Sequence, residues 1–342
     1  MADKLVVCTG YSVVDVVVDA GRPQAARAGG TAANVASNLR WLGTSRVALA
    51  ARVGSDPAGR LIRSQLHADG VSVQFIHLDP QVQTPVLIQV VTGAPAEPRY
   101  LFTCPICRRS SASFRPITPE HAHAVTTPTP SMFFFDRASV AALEIARQVR
   151  EAGGIVMFEP NTIGREQLTS RAVQLASIVK VSSGRGERLR ALLDFGPKGQ
   201  VQIRSDGGRG LSWRRFGQRW RHETALPSRA VDTSGAGDWL TSGLLHGLTV
   251  DHLESDAEVR DALARGQALA AVSCEFVGAK GLTNAPRSKV HRRLSGFGLT
   301  LGSDRSAHVA EAKHSADDLA CRVCLAPQEI KADTAHLAAI GT

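Results

Sequence analysis

Short apolar runs alternate with amphipathic segments along much of the chain. Residues 132–135 and 155–159 are two such runs, and residues 140–151 between them repeat apolar side chains at helical spacing. A second helical segment, 167–176, and a third apolar run, 178–181, continue the alternation. Because neighbouring parallel strands are joined by crossover connections, usually helices, this pattern predicts a parallel sheet with helices on both faces.

The N-terminal third alternates in the same way but contains more strands. β-Branched runs predict the strands, and helical periodicity bounded by glycines predicts the helices. The predicted strands are 4–10, 13–18, 47–53 and 71–77, followed by a hairpin of 84–92 and 99–103; the predicted helices are 31–42 and 59–68. Two later helices are predicted at 239–248 and 256–274, so the fold class is α/β.

A glycine-rich turn stands directly before the predicted helix 239–248. It reads Asp232-Thr233-Ser234-Gly235-Ala236-Gly237-Asp238. The N–H groups of a helix's first turn and the helix dipole attract an anion, and glycines let the backbone approach it closely. A carboxylate beside such an anion site is suited to act as a general base that takes the proton of an attacking hydroxyl. The alternative is that Asp238 only caps the helix.

A second glycine-rich turn precedes the predicted helix 31–42. Gly29 and Gly30 expose backbone at its start, and Asn34 adds an amide in the first turn. Asp15 lies on the neighbouring predicted strand. An acid, an amide and exposed N–H groups are suitable partners for a ligand with several hydroxyls. Taken alone, Asp15 is more often a turn or edge-strand acid than a ligand.

Together these segments resemble the ribokinase, or PfkB, family of carbohydrate kinases. Residues 29–34 stand where that family has its sugar-binding Gly-Gly segment, and residues 232–238 are similar to its Asp-Thr-x-Gly-Ala-Gly-Asp signature. Residues 54–59 are similar to a Gly-x-Asp-x-x-Gly stretch of the same family. The resemblance covers residues 4–285, and its three parts follow one another in the family's order.

The resemblance implies a ribokinase-like αβα sandwich, which is Rossmann-like, with a small β-sheet lid built from strands near residues 12–28 and 84–103. It also implies ATP and Mg²⁺ as cofactors. By this resemblance Asp238 deprotonates the substrate, and the backbone of Gly235, Ala236 and Gly237 binds the transferring phosphoryl group. The residues that hold the substrate are Asp15, Gly29, Gly30 and Asn34. Those at the nucleotide site are Ser205, Gly207, Gly210 and Ser273.

One part of the family pattern is missing. Many members have an Asn-x-x-Glu motif that helps to organise Mg²⁺ after the strand corresponding to 178–181, and here Ser182 and Arg185 occupy its two defining positions. Glu187 comes two residues late, which on a helix start points it elsewhere. We therefore expect either that Mg²⁺ is held through water and the phosphates of ATP, or that catalysis is reduced.

The charge of the chain raises a different hypothesis. A formal net charge of +9 is compatible with nucleic-acid binding. The basic residues are scattered, however, and the one dense run, 209–221, alternates as the strands of a hairpin do. A solvated basic face is the preferred interpretation, with no nucleic-acid partner. Because the sequence shows no leader and no apolar stretch of membrane-spanning length, we expect no membrane partner and a cytoplasmic location.

Four of the six cysteines form two Cys-x-x-Cys pairs, Cys104 with Cys107 and Cys321 with Cys324. Each pair can bring two thiolates to one tetrahedral ion, and four thiolates complete a structural Zn²⁺ site. The alternative is that the pairs are independent reduced thiols in a reducing compartment.

The second pair lies in a tail, 296–342, that is predicted to be an appendage of the kinase domain 1–295. A shared Zn²⁺ would fasten this tail to the lid. His121 and His123 are weaker alternative ligands, because their spacing differs from that of zinc fingers.

The sequence thus predicts an ATP-dependent kinase that phosphorylates a hydroxyl of a small sugar or sugar-like compound. A nucleoside substrate stays open, as does a homodimer formed through the lid sheet, which occurs in some relatives. The competing hypothesis is a sugar or nucleotide sensor that keeps the kinase fold without useful turnover, and it rests on the altered Asn-x-x-Glu position. An intact Asp238 argues against the sensor.

Overall fold

The computed structural model describes residues 4–19, 22–91, 99–301, 321 and 323–325 of the chain. Their strands form a nine-stranded sheet and a separate four-stranded sheet. In chain order the strands are β1 (Leu5–Thr9), β2 (Val13–Asp19), β3 (Arg22–Gly29), β4 (Arg46–Gly54), β5 (Ile76–Asp79), β6 (Val86–Val91), β7 (Arg99–Leu101), β8 (Met132–Phe135), β9 (Ile155–Phe158), β10 (Ile178–Ser182), β11 (Val201–Ser205), β12 (Leu211–Arg215) and β13 (Arg221–Glu223).

The large sheet has the order β13-β12-β11-β10-β9-β8-β1-β4-β5. The strands from β11 to β5 pair in parallel, and β12 and β13 add an antiparallel hairpin at one edge. In β8, Met132 and Phe134 pack into one core, whereas Phe133 and Phe135 pack into the other. The predicted parallel sheet is confirmed, and burial on both faces explains why this strand is apolar throughout.

Helices cover both faces of this sheet. They are α1 (Thr31–Trp41), α2 (Pro57–Ala68), α3 (Pro119–Val125), α4 (Val140–Glu151), α5 (Glu166–Leu175), α6 (Glu187–Arg190), α7 (Ala236–Gly247), α8 (Asp256–Ser273), α9 (Gly281–Asn284) and α10 (Arg287–Ser295). Side-chain caps fix several starts: Asp56 Oδ1 accepts the N–H of Gly59 at 2.8 Å in α2, and Ser139 caps α4. None of the helices in the described part of the chain has the length and apolar composition that a membrane crossing requires.

Several boundaries differ from the sequence prediction. The strand predicted at 71–77 is β5, which begins only at Ile76, because a turn with the N–H of Ile76 bonded to the carbonyl of Val73 precedes it. Helix α7 begins at Ala236 rather than at residue 239, which places Asp238 in its first turn. The short helices α3, α6, α9 and α10 were not predicted. Most of the predicted tail 296–342 lies outside the described residues.

The basic run 209–221 contributes to the predicted hairpin, formed by β12 and β13. Trp213 is fully buried, and the guanidinium of Arg221 stacks on its ring at 4.8 Å. Arg215 and Arg221 both pair with the carboxylate of Asp256, at 2.6 Å and 2.5 Å. These cations therefore bind aromatic rings and an acid of the same chain.

The smaller sheet has the order β3-β2-β6-β7 and forms the lid predicted from strands near 12–28 and 84–103. Opposite faces of a strand carry alternate residues, so Asp15 and its partner Leu87 face one way while Val14 and Val86 face the other. On the second face α2 anchors the sheet: Gln65 accepts the N–H of Ala28 at 2.7 Å. The face that carries Asp15 looks towards the start of α7, where Asp238 is close enough to interact electrostatically with Asp15.

Candidate active site

Parallel pairing places the carboxyl ends of the central strands at one edge of the large sheet. Asp136 follows β8, Glu159 follows β9, and Ser182 ends β10. Polar residues brought together at such an edge are the usual setting of a ligand site in an α/β fold. The predicted site residues gather here.

The glycine-rich turn before α7 has the backbone that an anion site requires. Gly235 is the N-cap and has a φ of 74°, and a Cβ on it would lie 2.7 Å from the Cβ of Ala279. Glycine is therefore required here for both conformation and space. The first intrahelical bond joins the N–H of Trp239 to the carbonyl of Gly235, while Ala236 donates to Thr233 at 3.2 Å. The N–H of Gly237 precedes the helical ladder and is available at the helix N-terminus.

Asp232 holds this turn in place, a role that the sequence analysis did not assign. Its Oδ1 accepts the N–H of Ser234, and its Oδ2 accepts the N–H of Gly278, both at 2.8 Å. The carbonyl of Cys274 accepts the N–H groups of Val231 and Asp232. The bond from Asp232 to the backbone two residues later is a turn signal that the sequence alone can show. The bond to Gly278 joins residues 46 apart, so only the folded structure reveals it.

Asp238 joins the two predicted glycine-rich segments. Its Oδ2 accepts a hydrogen bond from Nδ2 of Asn34 at 2.7 Å, across 204 residues of sequence. Burial raises the pKa of this carboxyl, and the charge of Glu159 raises it further; the bond from Asn34 and the charge of Lys180 oppose these effects, and the pKa is about 7. Asp238 is thus a carboxylate that gains and loses a proton near neutral pH.

Asp15 reaches the same site from the lid. Burial and the charge of Asp238 raise its pKa to about 7, against the lowering effects of Lys280 and of the N–H of Gly30. Gly29 leaves room for this carboxyl, because a Cβ there would lie 1.9 Å from Oδ2 of Asp15. Gly30 has a φ of 86°, and a Cβ on it would lie 2.2 Å from the carbonyl oxygen of Tyr11. The structure therefore brings Asp15, Gly29, Gly30, Asn34 and Asp238 together.

Lys280 is a site cation that the sequence analysis missed. Its side chain is mostly buried, and its Nζ lies 3.3 Å from Oδ2 of Asp69, which also accepts a hydrogen bond from Ser37 at 2.7 Å. Burial lowers the pKa of Lys280, and the charges of Asp69 and Asp238 oppose this. Lys280 follows the turn that packs against Gly235, so only the fold places it near the carboxylates.

A buried ion pair lies behind the anion turn. Nζ of Lys180 contacts Glu159 and donates to Oγ1 of Thr241 at 2.9 Å and to the carbonyl of Gly237 at 3.1 Å. Thr241 in turn donates to the other oxygen of Glu159 at 2.5 Å. This network, also missed from sequence, connects β9, β10 and α7 directly beneath the turn.

The buried acids at the strand ends already have protein partners. Asp136 accepts the N–H of Tyr11 at 2.8 Å and pairs with Arg137, and Glu159 pairs with Lys180. Arg185 and Glu187, near the altered Asn-x-x-Glu position, are exposed. How Mg²⁺ is organised at this position stays a prediction; Mg²⁺ usually keeps several waters and rarely relies on a full protein cage.

The predicted nucleotide residues occupy two places. Ser205 ends β11 beside Ser182 of β10, and the loop after it contains Gly207 and Gly210, with φ values of 55° and 100°. Ser273 is buried near the end of α8, and its hydroxyl donates to the carbonyl of Ala270 at 2.8 Å. The roles of these residues stay predictions.

The lid touches the large domain around the site. The hydroxyl of Tyr100 on β7 lies 3.3 Å from Oγ of Ser234 in the anion turn, and Arg27 on β3 donates to Asn284 at 3.2 Å. A cavity of about 520 Å³ lies instead on the other face of the lid, bordered by Val86 and Ile88. We locate the active site from the convergent polar groups, because the cavity contains none of the predicted substrate or phosphoryl residues.

The four predicted metal-ligand cysteines also lie together, with all Sγ atoms within 4.8 Å of one another. Cys104 and Cys324 line the cavity on the other face of the lid and not the active site. His121 lies on α3 and is not part of this group; its Nδ1 is 2.8 Å from Oγ1 of Thr118.

The parallel sheet, the separate lid and the acid at a glycine-rich helix start define a sugar kinase of the ribokinase fold. The sequence matches the pfkB family carbohydrate kinase over residues 3–285, and the chain belongs to this family. It is accordingly a phosphotransferase that acts on a sugar or riboside.

Relatives and solved structures agree with this assignment. The chain is 28% identical over 304 residues to aminoimidazole riboside kinase of Salmonella typhimurium, covering 79% of this chain and 89% of the relative. It is 28% identical over 293 residues to fructokinase of Escherichia coli, covering 79% and 93%. The crystal structure of aminoimidazole riboside kinase from Salmonella enterica, with aminoimidazole riboside and an ATP analogue, is 26% identical at a TM-score of 0.65, covering 85% of this chain and 100% of that one. Fructokinase from Vibrio cholerae, at 24% identity and a TM-score of 0.67 over 86% and 100%, shares the fold.

Proposed function

We propose that this protein transfers the γ-phosphoryl group of ATP to a hydroxymethyl group of a small sugar, with a fructose-like ketose or a riboside as the substrate class. The observation that carries the proposal is the contact between Asn34 and Asp238, which joins the substrate segment and the anion turn into one site. The fructokinase and riboside kinase relatives support the substrate class.

In the proposed reaction Asp238 takes the proton of the substrate hydroxyl as its oxygen attacks the γ-phosphorus. A new P–O bond forms, the bond between the γ-phosphorus and the bridging oxygen breaks, and ADP leaves with that electron pair. A pKa of about 7 leaves much of Asp238 ionised at neutral pH while keeping it basic enough to accept a proton. The helix N-terminus at Gly235 and Gly237 binds the phosphoryl oxygens, since phosphoryl transfer depends on positioning and electrostatics.

The remaining site residues hold substrate and charge. Asp15 accepts hydrogen bonds from sugar hydroxyls, and the lid closes over them through Tyr100 and Ser234. A Mg²⁺ held through the ATP phosphates and water would supply charge neutralisation of the phosphates. Lys280 offsets the negative charge of the two carboxylates. Ser205, Gly207 and Gly210 lie on the nucleotide side of the proposed site. The hydroxyl of Ser273 bonds the carbonyl of Ala270, so the contact of this segment with the nucleotide is made by the backbone of the turn at Cys274.

The proposal is tested by measuring ATP consumption with Mg²⁺ over a panel of ketohexoses, aldohexoses, pentoses, ribosides and nucleosides. We expect one acceptor class, a ketohexose or a riboside, to stimulate ATP consumption well above the rate without acceptor. A thermal-shift measurement on the same panel distinguishes the kinase from the competing hypothesis, a sensor that binds ligand without turnover. If a sugar raises the melting temperature and no compound stimulates turnover, the protein is a sensor and the proposal is wrong.

Replacing Asp15 with asparagine should raise the KM for the sugar about 10- to 100-fold, the usual effect of losing hydrogen bonds to a charged acceptor. The KM for ATP should stay nearly unchanged, because Asp15 is on the lid strand and away from the loop at Gly207. Initial rates at varied sugar and varied ATP measure both values. Asp194→Asn, which replaces an acid exposed on the surface, is the matched control. Equal effects on both KM values would contradict the assignment of Asp15 to the sugar.

A further inference from the structure

Two Cys-x-x-Cys segments 217 residues apart meet beside the lid. Sγ of Cys104 lies 3.9 Å from Sγ of Cys321, and Sγ of Cys107 lies 3.4 Å from Sγ of Cys324. All four Sγ atoms lie within 4.8 Å of one another. Four sulfurs around a tetrahedral Zn²⁺ at about 2.3 Å stand about 3.8 Å apart, so the cluster has the dimensions of such a site.

The two segments also share a turn and a positive backbone φ at the residue after each pair. The N–H of Arg108 donates to the carbonyl of Cys104 at 3.0 Å, and the N–H of Leu325 donates to that of Cys321 at 2.8 Å. Each donor directly follows the second cysteine of its pair, and each has a positive φ, 61° for Arg108 and 56° for Leu325. Among the described residues, these two alone combine a side chain with a positive φ. Side chains rarely adopt this conformation, so its occurrence at both equivalent positions points to a common cause.

Hydrogen bonds to sulfur repeat in both segments. The N–H groups of Ile106 and Cys107 point at Sγ of Cys104, and those of Val323 and Cys324 point at Sγ of Cys321. Each first cysteine therefore accepts two backbone hydrogen bonds at sulfur, in the same pattern. Two pairs of independent thiols would not need this shared arrangement.

Disulfide bonds account for the cluster less well. Each sulfur is close to three others, whereas a disulfide needs one partner at about 2 Å. Three of the four residues are buried, and Cys107 is exposed. Without a cation, four thiols, three of them buried, would lie against one another with none of the bonds that each can make to a metal.

We propose that Cys104, Cys107, Cys321 and Cys324 bind one structural Zn²⁺ that fastens the segment around residues 321–325 to the lid. Cys321 and Cys324 belong to the same buried core as the lid residues Val86 and Ile88. The ion therefore crosslinks this segment to the face of the lid opposite Asp15. Cys321 and Cys324 lie outside the residues matched by the family, 3–285, so this crosslink is a property of this chain and not of the family match.

Metal analysis of the full-length protein, purified without chelator, tests the site directly. We expect about one zinc per chain, which a strong chelator removes. The variant with Cys321→Ser and Cys324→Ser should contain none, whereas Cys274→Ser, a cysteine outside the cluster, should keep it. Replacing zinc by Co²⁺ should give the intense thiolate-to-cobalt absorption of a tetrahedral sulfur site, and the double variant should lack it.

Cys107→Ser keeps the test decisive if the double variant fails to fold. Because Cys107 is exposed, its replacement leaves the buried part of the cluster intact and should weaken zinc retention against a chelator by at least tenfold. Absence of metal with four titratable thiols, two disulfides detected by mass spectrometry, or one iron per chain would each overturn the proposal. Metal content does not depend on turnover, so this outcome is independent of the proposed kinase activity.

Discussion

Asp238→Asn should lower kcat by about two to four orders of magnitude, because the substrate hydroxyl loses the base that takes its proton. Asparagine has the same shape and keeps a hydrogen-bond partner for Asn34, so sugar and ATP should still bind with nearly unchanged affinity. Steady-state kinetics with the best acceptor of the panel measure kcat, and calorimetric titration of the variant measures both affinities.

Asp261→Asn, on the exposed surface of α8, is the matched control and should keep the parent rate. An Asp238→Asn enzyme with unchanged kcat would rule out Asp238 as the base. A variant that loses affinity for sugar together with its rate would instead assign Asp238 to substrate binding, since loss of a base acts on the chemical step.

The pH dependence of the same reaction reports on the same carboxyl. The pKa of Asp238 is about 7, so kcat/KM should fall as the pH is lowered through 7, where the base becomes protonated.

The stability of the protein changes with pH in the opposite direction. A carboxyl with a raised folded-state pKa favours folding while it is protonated, and this contribution is lost as the pH rises through about 7. Asp238→Asn should therefore raise the melting temperature at pH 8 more than at pH 5, which a thermal-shift series checks.

Lys180→Met should lower the free energy of unfolding by about 3–5 kcal/mol, because it leaves Glu159 as an unpaired buried charge. Only 2% of the Lys180 side chain and 10% of the Glu159 side chain are exposed. Thr241 remains as a hydrogen-bond donor but supplies no compensating charge. Guanidinium denaturation at pH 8 measures the loss.

The surface pair of Arg188 and Glu166 provides the control. Both side chains are more than three-quarters exposed, so Arg188→Met should leave the stability nearly unchanged. Combining Lys180→Met with Glu159→Gln should recover part of the loss, because the buried charge is then removed with its partner. If Lys180→Met alone is as stable as the parent protein, the ion pair does not support the anion turn.

Local sequence patterns predicted the elements that combine strong periodicity with burial. Strand 132–135 and helix 140–151 have the predicted bounds, since a two-sided apolar strand and a Ser-capped amphipathic helix both have short-range signals. The start of β5 was misplaced because Val71 is buried and Val73 and Phe75 are half-buried outside a strand, and an alternating apolar pattern does not distinguish the two cases. The glycine segments were found from sequence, since a positive φ and a close approach both demand the same residue.

The sequence by itself determined the α/β class, the two glycine-rich turns, the acid at the start of α7 and the two cysteine pairs, because each depends on residues close together in the chain. Only the tertiary structure decided that Asn34 bonds Asp238, that Lys180 and Lys280 lie near it, and that the cysteine pairs meet. The contacts of Lys180 with Gly237, of Asn34 with Asp238 and of Cys104 with Cys321 join residues 57, 204 and 217 apart in the sequence. Local propensity carries no information on such pairs; sheet order and lid packing bring them together, and burial then sets their charges and pKa values.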